Sequence, residues 1–339
     1  MTDIEQLHEK ILEEAASLYA LTGKRWSTSG GFENWVYEYT ALHGNVIIRL
    51  TPCVPDTPDM LSSIQAEVDF IRYLHRNGAP VPRVIPSIHG KVIEKIHGSS
   101  LEYAVVASEK VQGAPATTIP ASQWTPSLIT ALGTLMGTLH VLALSYIPPK
   151  GVRRPSWNQD AFYYPERFIP HQSLIVEKSQ SLLDRISFLP KDPRYYGLIH
   201  ADINLNNLYV HNGTLTVLDF DDSRYGWFAH DIAVALFFWL MDLHIQDRES
   251  AAQMFLNNFI VGYETVYTLD PYWLQQIPLF LDLQVMLCYT VIMAEDDLNH
   301  LNAWCQRFMK GRKSDIEEGI PFVSLENWFV KREISLEER

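Results

Sequence analysis

Between His200 and Asp222 the chain reads His-Ala-Asp-Ile-Asn-Leu-Asn-Asn-Leu-Tyr-Val-His-Asn-Gly-Thr-Leu-Thr-Val-Leu-Asp-Phe-Asp-Asp. Asp202, Asn207 and Asp219 are oxygen-bearing side chains spaced so that they could act together. Two short apolar runs, 208–210 and 215–218, flank His211-Asn-Gly213. Asn-Gly readily takes the positive-φ conformation of a tight hairpin turn. An antiparallel hairpin returns its second strand beside the start of its first, so the three side chains should converge at one end of the ribbon. One carboxylate there can orient and deprotonate a hydroxyl. An amide oxygen and a second carboxylate are hard donors that suit Mg²⁺ held against nucleotide phosphates. The chemistry indicated is metal-assisted phosphoryl transfer, with Asp202 in the first role and Asn207 and Asp219 in the second. Any one of these residues alone would more simply cap a turn; the combination, in this order, carries the reading.

Protein kinases carry H-R-D-x-x-x-x-N followed by D-F-G. Here His200-Ala-Asp202 precedes Asn207 by the same Asp-to-Asn step, and Asp219-Phe-Asp221 stands where D-F-G would. On these motifs the chain resembles the aminoglycoside phosphotransferase and choline kinase family, with His-Ala-Asp in place of the family's His-Gly-Asp. The resemblance spans about residues 25–300 and is strongest at 200–231. It implies an α+β, bilobal protein-kinase-like fold. An N-terminal lobe, residues 1–112, would combine an antiparallel sheet with helices and bind nucleotide. A larger, mainly helical C-terminal lobe, residues 113–339, would carry catalysis and the acceptor. The implied cofactors are ATP, with GTP as an alternative, and Mg²⁺. By the same resemblance His200 orients the catalytic loop, and Asp231 begins the next helix and buttresses that loop. Asp221 and Asp222 offer a supporting contact, since the glycine of D-F-G is absent.

The elements that must position these groups are partly visible. Ile4, Leu7, Ile11, Leu12, Ala15 and Leu18 have helical spacing. Ser29-Gly-Gly-Phe-Glu-Asn34 then leads into alternating Trp35, Tyr37 and Tyr39. In the resembled family this turn lies over the phosphates, which puts Gly31 and Asn34 near the nucleotide. His43-Gly-Asn45 is another hairpin turn. Val46 to Leu50 reads as a buried strand with one charge, Arg49, and a buried charge needs an anionic partner. Protein kinases place a Lys there, paired to a helix Glu. Glu67, on the helix 64–76, is the candidate partner. Strands at 92–96 and 103–107 lead to Ser108-Glu-Lys-Val111, which resembles the family's hinge. Backbone groups from Glu109 to Val111 would meet the adenine.

Beyond the hinge, helical patterns cover 129–144, 174–189, 231–244, 249–266, 271–295 and 297–310. His140 reads as a satisfied core histidine. Residues 145–170 are rich in aromatics and proline, which fits a packed loop better than a substrate lid. Candidate acceptor-site walls are Asp221, Asp222, Glu295, Asp296 and Asp297 with the aromatics of 157–164. A pocket lined this way should favour neutral or cationic hydroxyl compounds.

Composition removes other classes. The 339 residues carry a formal charge of −13, so the basic excess that nucleic-acid binding requires is missing. Cys53, Cys288 and Cys305 are odd in number and scattered, which argues against a disulfide framework or a zinc site. The acidic start, Met-Thr-Asp-Ile-Glu, lacks the basic region of a signal peptide. The longest uncharged apolar run, 232–241, is too short to span a bilayer. A cytoplasmic enzyme without membrane or nucleic-acid partners is expected, acting on the hydroxyl of an aminoglycoside, amino alcohol or sugar-like molecule. The alternatives are a bacterial stress-response protein Ser/Thr kinase and a non-catalytic nucleotide-binding pseudokinase. Oligomeric state is open. No A-P-E segment follows Asp219, which argues for a small acceptor, and the intact Asp202, Asn207 and Asp219 argue for catalysis.

Overall fold

In the computed structural model the described residues are 3–22, 25–27, 34–41, 44–53, 60–98, 101–295 and 297–330. They form two compact units. The first comprises residues 1–113, 146–154 and 216–221, and the second comprises 114–145, 155–215 and 222–339.

The first unit is an antiparallel sheet with helices. Its elements are α1 (Asp3–Leu18), β1 (Arg25–Ser27), β2 (Trp35–Tyr39), β3 (Val46–Cys53), α2 (Met60–Arg76), β4 (Val84–Ile85), β5 (Glu94–His97) and β6 (Glu102–Glu109). The strand order is β1-β2-β3-β6-β4, with β5 also paired to β6. Val46, Ile48 and Leu50 of β3 join Ile11, Leu12 and Ala15 of α1 in one apolar cluster. Side chains alternate faces along a strand, so Arg49, between Ile48 and Leu50, projects to the opposite face. Its cross-strand neighbours are Val36 and Val106. In α2 the buried residues Ile64, Glu67, Val68, Ile71 and Leu74 make one stripe at helical spacing. Glu67 therefore lies within an otherwise apolar face, where only a strong partner justifies it.

The second unit is mainly helical. It holds β7 (Ala114–Pro115), α3 (Pro126–Ser145), α4 (Ser173–Ser187), β8 (Tyr196–Ile199), β9 (Leu208–His211), β10 (Thr214–Val217), β11 (Arg224–Trp227), α5 (Phe228–Asp242), α6 (Arg248–Glu264), α7 (Pro271–Leu274), α8 (Ile277–Glu295), α9 (Ala303–Met309) and α10 (Arg312–Glu318). The chain passes into the first unit within β10. Asn212 at φ +50° and Gly213 at φ +79° form the turn between β9 and β10, as Asn-Gly requires. A short antiparallel pair, β8 with β11, sets Ile199 opposite Arg224. It delivers the chain to His200 on one side and to α5 on the other. α3 and α6 pack at backbone contact. A Cβ at Gly133 would lie 1.9 Å from the Phe259 carbonyl oxygen, and one at Gly262 would lie 1.9 Å from that of Thr130. α3 and the segment 271–295 are long and apolar enough to suggest membrane spans, but more than half of the apolar window of each is buried within the protein.

Two helices differ from the sequence expectation. The segment 271–295 is broken, because Pro278 has no N–H to continue a helix and instead sits near the start of α8. The segment 297–310 is helical only from Ala303. Asp297 accepts the Asn299 N–H and contacts His300 at 2.7 Å, which closes a turn, and the Asn302 side chain caps the helix at Cys305 N–H. In the aromatic segment Trp157 and Tyr163 are buried among short 3₁₀ turns, while Phe162 and Tyr164 are half-buried.

Candidate active site

The functional side chains fall into two groups, one in each unit. In the first, Arg49 grips Glu67 through two parallel contacts, Nη1 to Oε1 at 2.9 Å and Nη2 to Oε2 at 2.5 Å. This fork geometry is available to a guanidinium and not to an ammonium. Nη1 also donates to Asp221 Oδ1 at 2.9 Å. The Asn34 amide donates to Asp221 Oδ2 at 2.7 Å, and Thr51 Oγ1 donates to Asn34 Oδ1 at 2.5 Å. A continuous chain of contacts therefore links Thr51, Asn34, Asp221, Arg49 and Glu67. Arg154 holds the far side, donating to Ser63 Oγ at 2.7 Å and to the Asp221 carbonyl. Asp219 takes φ +57°, and its Oδ1 accepts the Asp221 N–H at 3.4 Å.

Arg49 here faces both Glu67 and Asp221. Burial pushes the Glu67 carboxyl up to about 7, opposed by Arg49 and reinforced by the like charge of Asp221. Burial would raise Asp221 too, but Arg49 and Asn34 pull it below its usual value. Burial would lower the Arg49 pKa, yet Glu67 and Asp221 raise it above the usual value.

In the second unit the loop 200–207 is fixed from below by Asp231, in the first turn of α5. Asp231 is fully buried and accepts three hydrogen bonds: from His200 N–H at 2.9 Å, from Ala201 N–H at 2.6 Å and from His140 Nε2 at 3.0 Å. The His140 Nδ1 lies 2.7 Å from the Tyr263 hydroxyl, so a buried relay reaches from α6 through α3 to the loop. Burial opposes ionisation of Asp231, but the two histidines hold its pKa below the usual value. His200 is buried, and its Nδ1 accepts the Asp202 N–H at 3.2 Å. This bond orients the loop, a positioning role.

Asp202 Oδ2 accepts from Asn207 Nδ2 at 2.7 Å and from Asn204 Nδ2 at 2.9 Å. A carboxylate only accepts, so these bonds fix both amide orientations. The Asn207 nitrogen is spent on Asp202, which leaves its Oδ1 as the atom to offer a cation. Asn204 Oδ1 accepts the N–H groups of Asn206 and Asn207, which closes the tight loop between Asp202 and β9. Asp242 adds a second brace, accepting Leu205 N–H at 3.2 Å and Trp304 Nε1 at 2.8 Å. Burial pushes the Cys288 thiol up to about 12 against its Gln284 hydrogen bond, and the charge of Asp202 adds to this.

The structure thus brings Arg49, Glu67 and Asn34 together in the first unit, and His200, Asp202 and Asn207 together in the second. Gly31 lies outside the described residues. At the hinge, Glu109 N–H donates to Arg83 O and Lys110 N–H to Asn45 O, both at 2.9 Å. The Glu109 side chain pairs with Arg83. Most of the acidic side chains expected at an acceptor-site wall have partners of their own. Asp221 is engaged by Arg49 and Asn34, and Asp222 by Arg224. Asp297 is used in its own turn, Glu295 is exposed at the end of α8, and Asp296 lies outside the described residues. Sequence reasoning missed Asn204 and Asp242. Asn204, two residues after Asp202, was the available signal for a loop-closing side chain.

A family model described as the phosphotransferase enzyme family matches residues 27–268. The chain is 29% identical over 323 residues to an amicoumacin kinase of Bacillus subtilis (strain 168), covering 94% of each chain. Among solved structures it is similar to an amicoumacin kinase in complex with AMP-PNP, Ca²⁺ and Ami, with a TM-score of 0.85 and 28% identity, covering 95% of this chain and 97% of that one. It also shares the fold of a microcompartment-associated aminopropanol kinase, with a TM-score of 0.72 and 21% identity over 91% of this chain and 95% of that one. The α+β kinase-like fold expected from the sequence is the fold of these proteins.

Proposed function

This chain belongs to the phosphotransferase enzyme family, and on that premise we propose which residues serve its reaction and which acceptor it takes. It is a kinase that phosphorylates the hydroxyl of a small molecule. Asp202 orients the acceptor hydroxyl and takes its proton as the oxygen attacks the terminal phosphoryl group of ATP. Arg49, aligned by Glu67, engages the phosphates, and Asn34 lies beside it. The backbone from Glu109 to Val111 receives the adenine, and GTP is the alternative donor. By their places in the motif, the Asn207 oxygen and the Asp219 carboxylate are the donors we assign to Mg²⁺, a hard ion that takes one or two protein oxygens along with phosphate oxygens. When bound, such an ion neutralises charge on the transferring phosphate.

The acceptor we propose is an amine-bearing hydroxyl compound, with amicoumacin the first to test. The support is the amicoumacin kinase likeness across nearly the whole of both chains, together with the absence of a net basic charge that an anionic acceptor would favour. The observation that carries catalysis is the Asp202 carboxylate held by Asn207 and Asn204 on a loop buttressed by buried Asp231. The reading places the enzyme in the cytoplasm, where ATP is at hand. Turnover of ATP and of GTP with Mg²⁺ should be measured against amicoumacin, amino alcohols, aminoglycosides, sugars and acidic metabolites. Mass spectrometry should find one added phosphoryl group on an amine-bearing acceptor. Efficient turnover of an anionic acceptor, with the amines inert, rejects the proposed class.

A further inference from the structure

A cavity of about 760 Å³ opens in the second unit between the end of α5, the start of α6, the helices α9 and α10, and the segment 320–324. Its walls carry Arg248, Arg307, Lys310 and Arg312. The carboxylates around it are Asp247, Glu249 and Asp315. Only Asp315 pairs with a wall cation, through Arg312 Nη1 at 3.1 Å, while Asp247 caps α6 at Ser250 N–H. Arg248 makes no salt bridge among the described residues: its polar contact is the Met241 sulfur at 3.7 Å, and Asp315 acts on it only as a nearby charge. The guanidiniums of Arg248 and Arg312 stack over the same Phe322 ring, at 4.3 Å and 5.3 Å from its centroid.

Arg312 is only 4% exposed, and its Nε–H, like that of Arg307, is buried without an acceptor among the described residues. A guanidinium stays charged in a protein, and an unpaired buried donor costs more than a met one gains. Stacking on phenyl rings offsets part of that cost, but it supplies no negative charge. Burial lowers the pKa of both Arg248 and Arg312; the Asp315 charge opposes this at both, and Arg248 adds to the lowering at Arg312. Two like charges are thus held together in a chain whose formal charge is −13, where cations are scarce and acidic partners abundant.

We propose that this cavity is a binding site for a small multivalent oxyanion, bearing phosphate groups or several carboxylates, held by Arg248 and Arg312 with Arg307 and Lys310 at its edge. An oxyanion would accept from the Arg248 guanidinium, which has no salt bridge among the described residues, and add negative charge beside Arg312 that Asp315 alone supplies at present. None of the residues lining it is among those assigned above to nucleotide and hydroxyl.

The test is calorimetric titration of the full-length protein with pyrophosphate, and separately with citrate, in metal-free buffer of constant ionic strength. It compares the unaltered protein with Arg49→Gln, Arg248→Gln and Lys310→Gln. Saturable binding should persist in Arg49→Gln, which removes a phosphate contact in the other unit. It should weaken at least about tenfold in Arg248→Gln, the scale of one lost charged hydrogen bond, and less in Lys310→Gln, where the side chain is exposed. Lys310→Gln keeps the comparison informative if Arg248→Gln fails to fold. Pyrophosphate binding alone identifies a phosphate ligand, citrate binding alone a carboxylate one, and both outcomes support the site. No saturable heat from either probe, or binding lost in Arg49→Gln and unchanged in Arg248→Gln, overturns it.

Discussion

Asp231 holds Ala201 in a left-handed backbone conformation: its Oδ1 accepts the Ala201 N–H at 2.6 Å, and Ala201 sits at φ +65°. A residue with a Cβ pays about 1–2 kcal/mol for that conformation, and this loop retains it because Asp231 takes two consecutive N–H groups. The strain lies one residue from the carboxylate proposed to act on the hydroxyl.

Ala201→Gly should therefore keep activity and unfold at an equal or higher denaturant concentration. Relief of strain outweighs the entropy that glycine adds to the unfolded chain, about 0.4–1 kcal/mol. Asp231→Asn should do the opposite, because an amide cannot accept as a carboxylate does at a buried site. Loss of activity with a lowered unfolding midpoint would be expected, read by chemical denaturation and turnover side by side. An Asp231→Asn protein of full stability and full rate would contradict the buttress.

Asp202→Asn should leave the fold and Mg²⁺-ATP binding intact and lower kcat by about 10²–10⁴, the scale of general acid–base work. Asp219→Ala should instead abolish the Mg²⁺-dependent part of nucleotide stabilisation, measured by thermal shift with ATP in the presence and absence of metal. Asn207→Ala should weaken it less, since it removes a neutral ligand. If Asp219→Ala responds to ATP and Mg²⁺ as the parent does, the metal assignment fails.

The Glu67 carboxyl, raised from 4.5 to about 7 by burial, gives a pH dependence with a definite sign. Between these values the folded state keeps a proton that the unfolded state has released. Its contribution to stability is therefore fully present below about pH 4.5 and declines as pH rises through about 7. Glu67→Gln should flatten that slope, seen as a smaller change in unfolding midpoint from pH 4.5 to pH 7. An unchanged slope would show that Glu67 is ionised throughout. Arg49→Lys should bind ATP more weakly than the parent by direct titration, because an ammonium cannot copy the two-pronged contact with Glu67.

What the sequence made legible depended on whether a role is local. Asp202 and Asn207 were readable because a fixed step of five carries both, and the Asn-Gly turn between β9 and β10 declares itself. Arg49 and Glu67 were readable because a charge inside an apolar strand and another inside an apolar helix stripe each demand a partner. Asp221 was only half legible. Its contact with Arg49 spans 172 positions, and nothing in Asp-Phe-Asp-Asp says that Asp221 turns to Arg49 while Asp222 turns to Arg224. Asp242 was hidden because its partners are one backbone N–H and one indole. Composition showed the acidic residues near 295–297 and suggested a pocket wall, but a short polar side chain can close its own turn, as Asp297 does.

The backbone contact between α3 and α6 has a consequence for how this enzyme can be damaged. Gly133 and Gly262 set the spacing of the helices that carry His140 and Tyr263. One methyl group at either glycine would meet a main-chain carbonyl that cannot rotate away, so the helices would have to part. The separation would be felt along the relay through Asp231 as a loosened reaction loop. Gly133→Ala should accordingly behave as a heat-sensitive allele, active at low temperature and failing well before its parent, although it touches neither nucleotide nor acceptor.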